Sequence, residues 1–386
     1  MIYLNGLTAI SALGRDREEA ERSLRDNLAP GFTRLKGYLP GDLAADFGEI
    51  SFPLDSPEEP DCRNSLLLMH CLNQIRDLTD TAFRRYGASR IGVVLGTSTS
   101  AISDVEKAGR ADMAAGRPVK FSSLAYEVGN VSAFIGRFLG AKGPCYTVAT
   151  ACSSSARALI SARDLLKAGI CDAVIAGGAD SLSAISISGF YALGALSLQH
   201  TRPFHRERDG INIGEGAGIA LLTREPLEEK PLRLLGCGAT SDAHHISAPE
   251  PTGTMARAAM TKALNMAGIQ PEDLGYLHFH GTGTRLNDAM EGRVARDLLG
   301  GRVPVSSAKH LCGHTLGAAG IMGAFVSSLV LRGAMLPRHD YREEDYREEF
   351  PDIDLVTVPG RYAERPYVMS NSLAFGGNNV SLVFSL

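Results

Sequence analysis

The sequence predicts an α/β fold assembled from two copies of one unit, and three observations carry that reading. Short β-branched runs alternate with longer stretches of helical period. A five-residue strand followed by Gly-Thr-x-Thr occurs at Ile91 to Thr99 and again at Tyr276 to Thr284. The same order of elements then follows each: a strand, a small-residue turn and helix, and a strand leading to a glycine pair, Gly177-Gly178 or Gly376-Gly377. Isolated glycine-rich strand ends can match by chance, but a shared order of several elements points to duplication. The joint falls near Pro226 to Pro231, which gives units of 1–230 and 231–386.

Taken in order, Met1-Ile2-Tyr3-Leu4-Asn5-Gly6 reads as a first strand. No basic segment followed by a long apolar run marks it as a secretory leader, so a cytoplasmic location is expected. Helical period appears over 16–28 and 64–86, then strands at Ile91 to Leu95 and Cys145 to Ala149, a helix over 153–169, and strands at Ala173 to Ala176 and Gly218 to Leu222. The second unit opens at Leu232 to Leu235, a distant echo of the first strand. It continues with a helix over 255–267, a strand at Tyr276 to His280, a helix over 287–299, a strand at Val303 to Ser306 and a helix over 315–332. Strands at Tyr367 to Asn371 and Val380 to Phe384 close it. The run from Asp340 to Glu349 carries charges of both signs and reads as a solvated face with no chemistry. No apolar stretch reaches the roughly 18 uncharged residues of a membrane span.

Composition narrows the function classes. At 386 residues with 44% hydrophobic, the chain has ample core and is neither disordered nor fibrous. Its 39 basic against 43 acidic side chains, with no Lys/Arg stripe among aromatics, give nucleic-acid binding no support. The seven cysteines are odd in number, scattered and without C-x-x-C, which suits reduced thiols better than a disulfide framework or zinc site.

The strongest local feature runs from Thr147 to Leu159, where a β-branched run ends, a turn of small residues presents Cys152, and a helix-forming stretch begins. Such a turn resembles a nucleophile elbow, with the helix N-terminus favouring a thiolate. A buried structural cysteine is the alternative, since cysteine is among the most buried residue types. Two histidine turns weigh against it. His280 stands just before Gly281-Thr282-Gly283-Thr284, and His314 follows Lys309 within a glycine-flanked turn. Placed at matching points of two repeats, they would meet Cys152 in one cleft. A metal site through His278 and His280, or through His244-His245 near Asp242, lacks the usual ligand spacing. The glycine-rich stretch from Gly210 to Gly218 precedes a strand and not a helix, which argues against a dinucleotide loop.

Seven segments in order carry a family resemblance: A-T-A-C-S-S-S at the nucleophile turn, A-G-G-A-D at 176–180, R-P-F at 202–204 with G-E-G-A-G at 214–218, S-D-A-H-H at 241–245, H-G-T-G-T-x-x-N-D at 280–288, S-A-K-x-x-x-G-H-x-x-G-A-A-G at 307–320, and N-S-L-A-F-G-G-N-N at 371–379. In these the chain resembles the β-ketoacyl-acyl carrier protein synthases of the elongating type, within the thiolase-fold superfamily. The resemblance implies a layered αβαβα fold of two pseudo-symmetric halves. It implies that Cys152 takes an acyl chain from a carrier-protein thioester, and that His280 and His314 bind the malonyl thioester, support decarboxylation and stabilise the enolate. Lys309 would orient and polarise His314. Backbone N–H groups of Cys152 and Phe375 would form the oxyanion hole, with Phe375 gating the acyl pocket. Thr282 and Thr284 would hold the phosphopantetheine arm, and Phe204 is grouped with them as substrate-binding. The arm belongs to the acyl carrier protein, so no bound cofactor and no metal are expected. A dimer is implied, either with an identical copy or with a diverged chain-length subunit.

The chain departs from the family pattern in places. Gly323 stands where a Glu is usual, which puts the network around Lys309 and any structural ion there in question. His205 replaces the usual Asp after R-P-F, Leu373 and Asn378 alter the Phe-Gly-Gly loop, and Tyr126 and Glu127 fall in the compact stretch from Phe121 to Asn130. Such changes fit a specialised synthase of aryl polyene or type II polyketide assembly better than a housekeeping fatty-acid enzyme. Two other readings compete. A non-catalytic chain-length partner would normally lack the nucleophilic Cys, which is present. A thiolase would carry a second catalytic Cys near the C-terminus, where Asn371 to Asn379 has none.

Overall fold

The structure is a computed structural model that describes residues 1–57, 59–119 and 127–386. Up to residue 223 the chain forms β1 (Ile2–Ser11), α1 (Arg17–Asp26), β2 (Phe32–Leu35), β3 (Ala45–Gly48), α2 (Arg63–Gln74), α3 (Arg76–Tyr86), β4 (Ile91–Gly96), α4 (Ile102–Ala114), α5 (Asn130–Leu139), β5 (Cys145–Val148), α6 (Ser154–Lys167), β6 (Ala173–Asp180), α7 (Ala184–Ala192) and β7 (Gly216–Thr223). It continues with β8 (Leu232–Ser241), α8 (Thr254–Ala267), β9 (Leu274–His278), α9 (Arg285–Leu299), β10 (Pro304–Ser306), α10 (Lys309–Cys312), α11 (Ala319–Leu331), β11 (Asp354–Leu355), β12 (Tyr367–Ala374) and β13 (Asn378–Ser385).

All strands except the β2–β3 hairpin join one sheet. Read outward from its middle, the order is β1-β7-β6-β4-β5 on one side and β8-β13-β12-β9-β10 on the other, where the short β11 adds an eleventh strand beside β10. On each side the first two pairings are antiparallel and the next two parallel. The repeat seen in the sequence is therefore a repeat of topology. The two sets meet where Ile2 to Leu4 of β1 pair with Leu232 to Leu234 of β8.

Strand periodicity builds the layers. Val94, Val174, Ala176 and Leu222 point into a core shared with Ala158, Leu159, Ile321 and Phe325 of α6 and α11. Their neighbours Val93, Ile175, Ile219 and Leu221 point the other way, onto α2 and α5. The second set does the same, with Val380, Leu382 and Phe384 inward and Leu277, Met369 and Val383 outward onto α8 and α9. Helices cover both faces, so β4, β6 and β7 are buried throughout. The result is five layers, αβαβα, with α6 and α11 in the middle. Among the described residues no helix is long and apolar enough to cross a membrane.

Several expectations need correcting. The helical stretch 64–86 breaks at Ile75, whose φ of −117° ends α2 before α3 begins. The stretch 315–332 starts as a 3₁₀ turn, Leu316–Ala318, ahead of α11. Helices α4, α5 and α7 and the β2–β3 hairpin lie outside the expected elements; Ala-Ile-Ser-Ile-Ser-Gly-Phe-Tyr-Ala of α7 is apolar all round and shows no stripe. Phe121 and Tyr126 lie outside the described residues. The charged run before residue 350 is more than a solvated face, because Tyr346 and Phe350 are buried at its end.

Candidate active site

Cys152 is presented by strain and by close packing. Ala151 before it has φ of 51°, a left-handed conformation that costs a non-glycine residue about 1 to 2 kcal/mol. Hydrogen bonds lock the turn: Ser154 N–H donates to the Ala151 carbonyl (3.0 Å) and Thr150 N–H to Ser154 Oγ (2.9 Å). The N-terminal turn of α6 is pressed against glycines on three elements. A Cβ at Gly96 would lie 2.7 Å from Ser155 Cα, one at Gly178 2.9 Å from Ser155 Cβ, and one at Gly320 2.6 Å from Ala156 Cβ. The run of small residues after Cys152 is thus a packing requirement of the turn.

The two histidines arrive from the other half of the sheet. His280 lies two residues past the end of β9, and its backbone N–H and that of Gly281 both donate to the Glu291 carboxylate of α9 at 2.8 Å. His314 follows α10 and is pinned by its N–H to the Asn212 carbonyl (2.7 Å), while Gly214 N–H donates to the His314 carbonyl (3.0 Å). This explains the glycines from 210 to 218: Gly214 crosses the Cys312–Gly313 backbone where any side chain would clash, and the segment carries on into β7. Cys152 Sγ and one nitrogen each of His280 and His314 lie within 4.8 Å of one another, all buried. The two imidazole rings are nearly perpendicular at 5.2 Å.

Electrostatics assign protonation states. Burial first, then the Lys309 charge, hold His280 and His314 well below the ordinary histidine value, so both rings are neutral at pH 7. His314 Nδ1 accepts the Leu316 N–H at 3.1 Å, which puts the ring proton on Nε2. Burial pushes the Cys152 thiol up to about 11, opposed by Lys309 and by the backbone N–H groups of Phe375 and Cys152 that reach the sulfur. The backbone N–H groups thus favour the thiolate, as the position at a helix start leads one to expect, but burial outweighs them in the resting thiol. Cys152, His280 and His314 come close enough to surround a metal ion, but the lone pair of His314 lies on Nδ1, where it accepts the Leu316 N–H, and the Lys309 charge repels a cation. His278, considered with His280 as a ligand pair, is not part of this group.

Lys309 acts on His314 through its charge and not through a hydrogen bond: its buried Nζ donates to the backbone carbonyl of His280, and His314 Nδ1 accepts from the Leu316 N–H. A Cβ at Gly323 would meet Ser370 Oγ and lie 3.5 Å from His278 Nδ1, so a side chain there requires the Ser370 hydroxyl to turn away. The carboxylates whose charge favours the Lys309 ammonium are Glu291 and Asp288, which oppose the lowering caused by burial. Asp180 at the end of β6 ties the first half to the site, accepting from Thr97 Oγ1 (2.6 Å), Thr99 Oγ1 (2.6 Å) and Gly317 N–H (2.5 Å).

A cavity of about 350 Å³ opens beside Cys152 and is lined by His280, His314, Thr282, Thr284, Phe190 and Phe375. The hydroxyls of Thr282 and Thr284 meet at 2.9 Å. Phe375 packs on Phe190 with centroids 5.4 Å apart, on a loop turned by Gly376 and Gly377 at φ of 78° and 74°. Phe204 does not line this cavity. It is fully buried, stacks on Phe279 at 4.5 Å and meets Phe350 edge-on at 5.3 Å, so the substrate-binding expectation for it is corrected to a core role. The sequence does not single out Glu291 or Phe190, and Asp288 enters only as the last residue of the H-G-T-G-T-x-x-N-D segment. A signal for Glu291 and Asp288 exists, since both lie on the apolar side of α9, in phase with Ala295 and Leu299.

Residues 4–227 match the family model described as beta-ketoacyl synthase, N-terminal domain, and residues 233–340 match beta-ketoacyl synthase, C-terminal domain. A 3-oxoacyl-[acyl-carrier-protein] synthase 2 of Staphylococcus aureus is 37% identical over 262 residues, 64% of this chain and 64% of that protein's own length. Among solved structures, a chain of a ketosynthase in complex with its chain length factor from Xenorhabdus doucetiae is 40% identical with a TM-score of 0.94, covering 100% of this chain and 98% of that one. A beta-ketoacyl synthase from Burkholderia phymatum STM815 is 25% identical with a TM-score of 0.84, at the same coverage.

Proposed function

We propose that this chain, which belongs to the β-ketoacyl synthase family, joins an acyl group held on Cys152 to a malonyl thioester by decarboxylative Claisen condensation. The observation that carries this reading is the convergence of Cys152 Sγ with nitrogens of His280 and His314, beside backbone N–H groups of Cys152 and Phe375. Cys152 sulfur attacks the thioester carbonyl of the acyl donor, the oxyanion is held by those N–H groups, and the carrier leaves with the thiol proton. The malonyl thioester then loses CO₂. Its enolate is stabilised by the imidazole N–H groups, that of His314 being on Nε2, and attacks the acyl-enzyme. The product leaves Cys152 as thiolate, which takes up one proton per turnover. Neutral imidazoles suit this role because they donate a hydrogen bond to developing charge without a net charge of their own to desolvate.

Within this proposal Phe375 gates the acyl pocket, Thr282 and Thr284 hold the phosphopantetheine arm of acyl carrier protein, and the enzyme needs no resident cofactor. The units 1–230 and 231–386 supply the nucleophile and the histidine pair. The protein works in the cytoplasm as a dimer with itself or with a diverged chain-length subunit; the similarity to a chain of a ketosynthase and chain length factor complex favours the second arrangement. The changes at His205, Gly323, Leu373 and Asn378 favour specialised polyene or polyketide elongation. Purified protein given acyl- and malonyl-carrier protein is expected to yield β-ketoacyl product and CO₂, and Cys152→Ala to lose acyl transfer. Undiminished condensation by the Ala variant overturns the assignment. Mass spectrometry separates the alternative, since a non-catalytic chain-length subunit gains no acyl adduct.

A further inference from the structure

The charged run before residue 350 ends on Glu349, and we propose that Glu349 and Arg208 are positioning residues that set how the cleft grips the carrier-borne arm of its thioester. The proposal rests on the reading of Thr282 and Thr284 as the arm's partners.

Arg208 is 2% exposed, and its guanidinium is the hub of the contacts. Nη1 and Nη2 donate to the two oxygens of Glu349 at 2.6 and 2.5 Å, a bidentate pair. The same side chain donates to three backbone carbonyls, those of Arg285 (3.0 Å), Thr284 (3.4 Å) and His205 (3.0 Å). Its Nε lies 3.8 Å from Asp288 Oδ2. Asp288 in turn accepts the N–H groups of Thr282 (3.0 Å), Gly283 (3.1 Å) and Phe204 (2.8 Å). The backbone from 282 to 285 is therefore held by its N–H groups through Asp288 and by its carbonyls through Arg208.

Glu349 is the outer jaw of this clamp. The next residue, Phe350, is buried, lies under the guanidinium at 5.2 Å and meets the Phe204 ring. Gly292 of α9 leaves room for it, since a Cβ there would lie 2.5 Å from Phe350 Cδ1. The run is also pinned upstream, where Arg206 N–H donates to the Asp345 carbonyl at 2.7 Å. A buried guanidinium needs a counter-charge and partners for five N–H donors. Replacing the carboxylate with an amide removes the charge and one of the two matched acceptors, and the guanidinium loses its fixed pose against the 284 and 285 carbonyls. The Glu349 side chain is 39% exposed, so this change leaves the core intact.

The test compares Glu349→Gln and Glu349→Asp with Glu348→Gln as a surface control. In Glu349→Gln the backbone amides of 282–285 are expected to speed up in hydrogen exchange by a larger factor than amides elsewhere, and the melting temperature to fall because the buried guanidinium loses its bidentate counter-charge. KM for malonyl-acyl carrier protein is expected to rise roughly tenfold, the scale of one charge-assisted hydrogen bond, with kcat within about twofold. Glu349→Asp restores most of both effects, and Glu348→Gln shows neither. Unchanged amide exchange in Glu349→Gln overturns the clamp. Faster exchange with unchanged KM overturns its role in gripping the arm. A parent protein that does not condense overturns the proposed function instead, and the exchange measurement still judges the clamp.

Discussion

At Cys152 two influences oppose each other: burial holds the thiol up at about 11, while the Lys309 charge and two backbone N–H groups favour the thiolate. Removing that charge with Lys309→Met is expected to slow iodoacetamide alkylation at pH 8 by roughly three- to tenfold and to move its pH profile alkaline. An unmoved profile would refute the electrostatic role. The same charge and burial keep His280 and His314 neutral, so the nitrogen-15 NMR shifts of their imidazoles are expected to stay flat between pH 8 and pH 6. An imidazole of this pair titrating near 6.5 would contradict it. Residue identities at this scale were unevenly legible. His280 and His314 announce themselves through turns that contain glycine, and Cys152 through a turn of small residues between a strand and a helix. Glu291 and Asp288 are marked only by their phase on the apolar side of α9, a weak signal because a carboxylate on a helix reads as a solvated charge until its backbone partners are known. Phe204 is associated with the substrate only through the family resemblance of its R-P-F segment, whereas its ring stacks on Phe279 in the core.

At the scale of elements, the site depends on how α6 and α11 cross. Gly320 of α11 meets Ala156 of α6 so closely that one methyl group must separate the helices. Gly320→Ala is expected to cost about 1 to 3 kcal/mol of stability by denaturant titration, and to lower acylation of Cys152 through movement of the α6 N-terminus. Unchanged stability and acylation would mean that the crossing tolerates slack. Strands and amphipathic helices were legible because period carries them. Helix α7 was not, being apolar on every face, nor was the break at Ile75, where nothing in composition interrupts the apolar pattern. Both are decided by what packs around them.

For the molecule as a whole, buried histidines couple stability to pH. Burial holds His278 at about 3 and His310 at about 4, and keeps His280, His314 and His339 well below their ordinary value of 6.5. The unfolded chain therefore binds more protons than the fold below pH 6.5, and stability falls as pH drops through that value. At pH 5 the loss is about 2 kcal/mol for each of His278 and His310. Glu291, raised to about 7 by burial, acts with the opposite sign between about 4.5 and 7, and Asp180 and Asp288, whose carboxyls burial also raises, act with it against the larger set of histidines. Melting temperature is expected to fall steadily from pH 7 to pH 5; a flat profile would refute the neutral cluster. The strand order has a further consequence, in time. Strand β1 (Ile2–Ser11) is synthesised before the other strands of its sheet, yet its partners are Gly216–Thr223 and Leu232–Ser241. At roughly 5 to 20 residues per second it waits about 10 to 40 seconds for its first neighbour. Through that interval the nascent chain carries an apolar strand whose pairing edges have no native partner, so the order of synthesis sets a delay that the sheet alone cannot shorten.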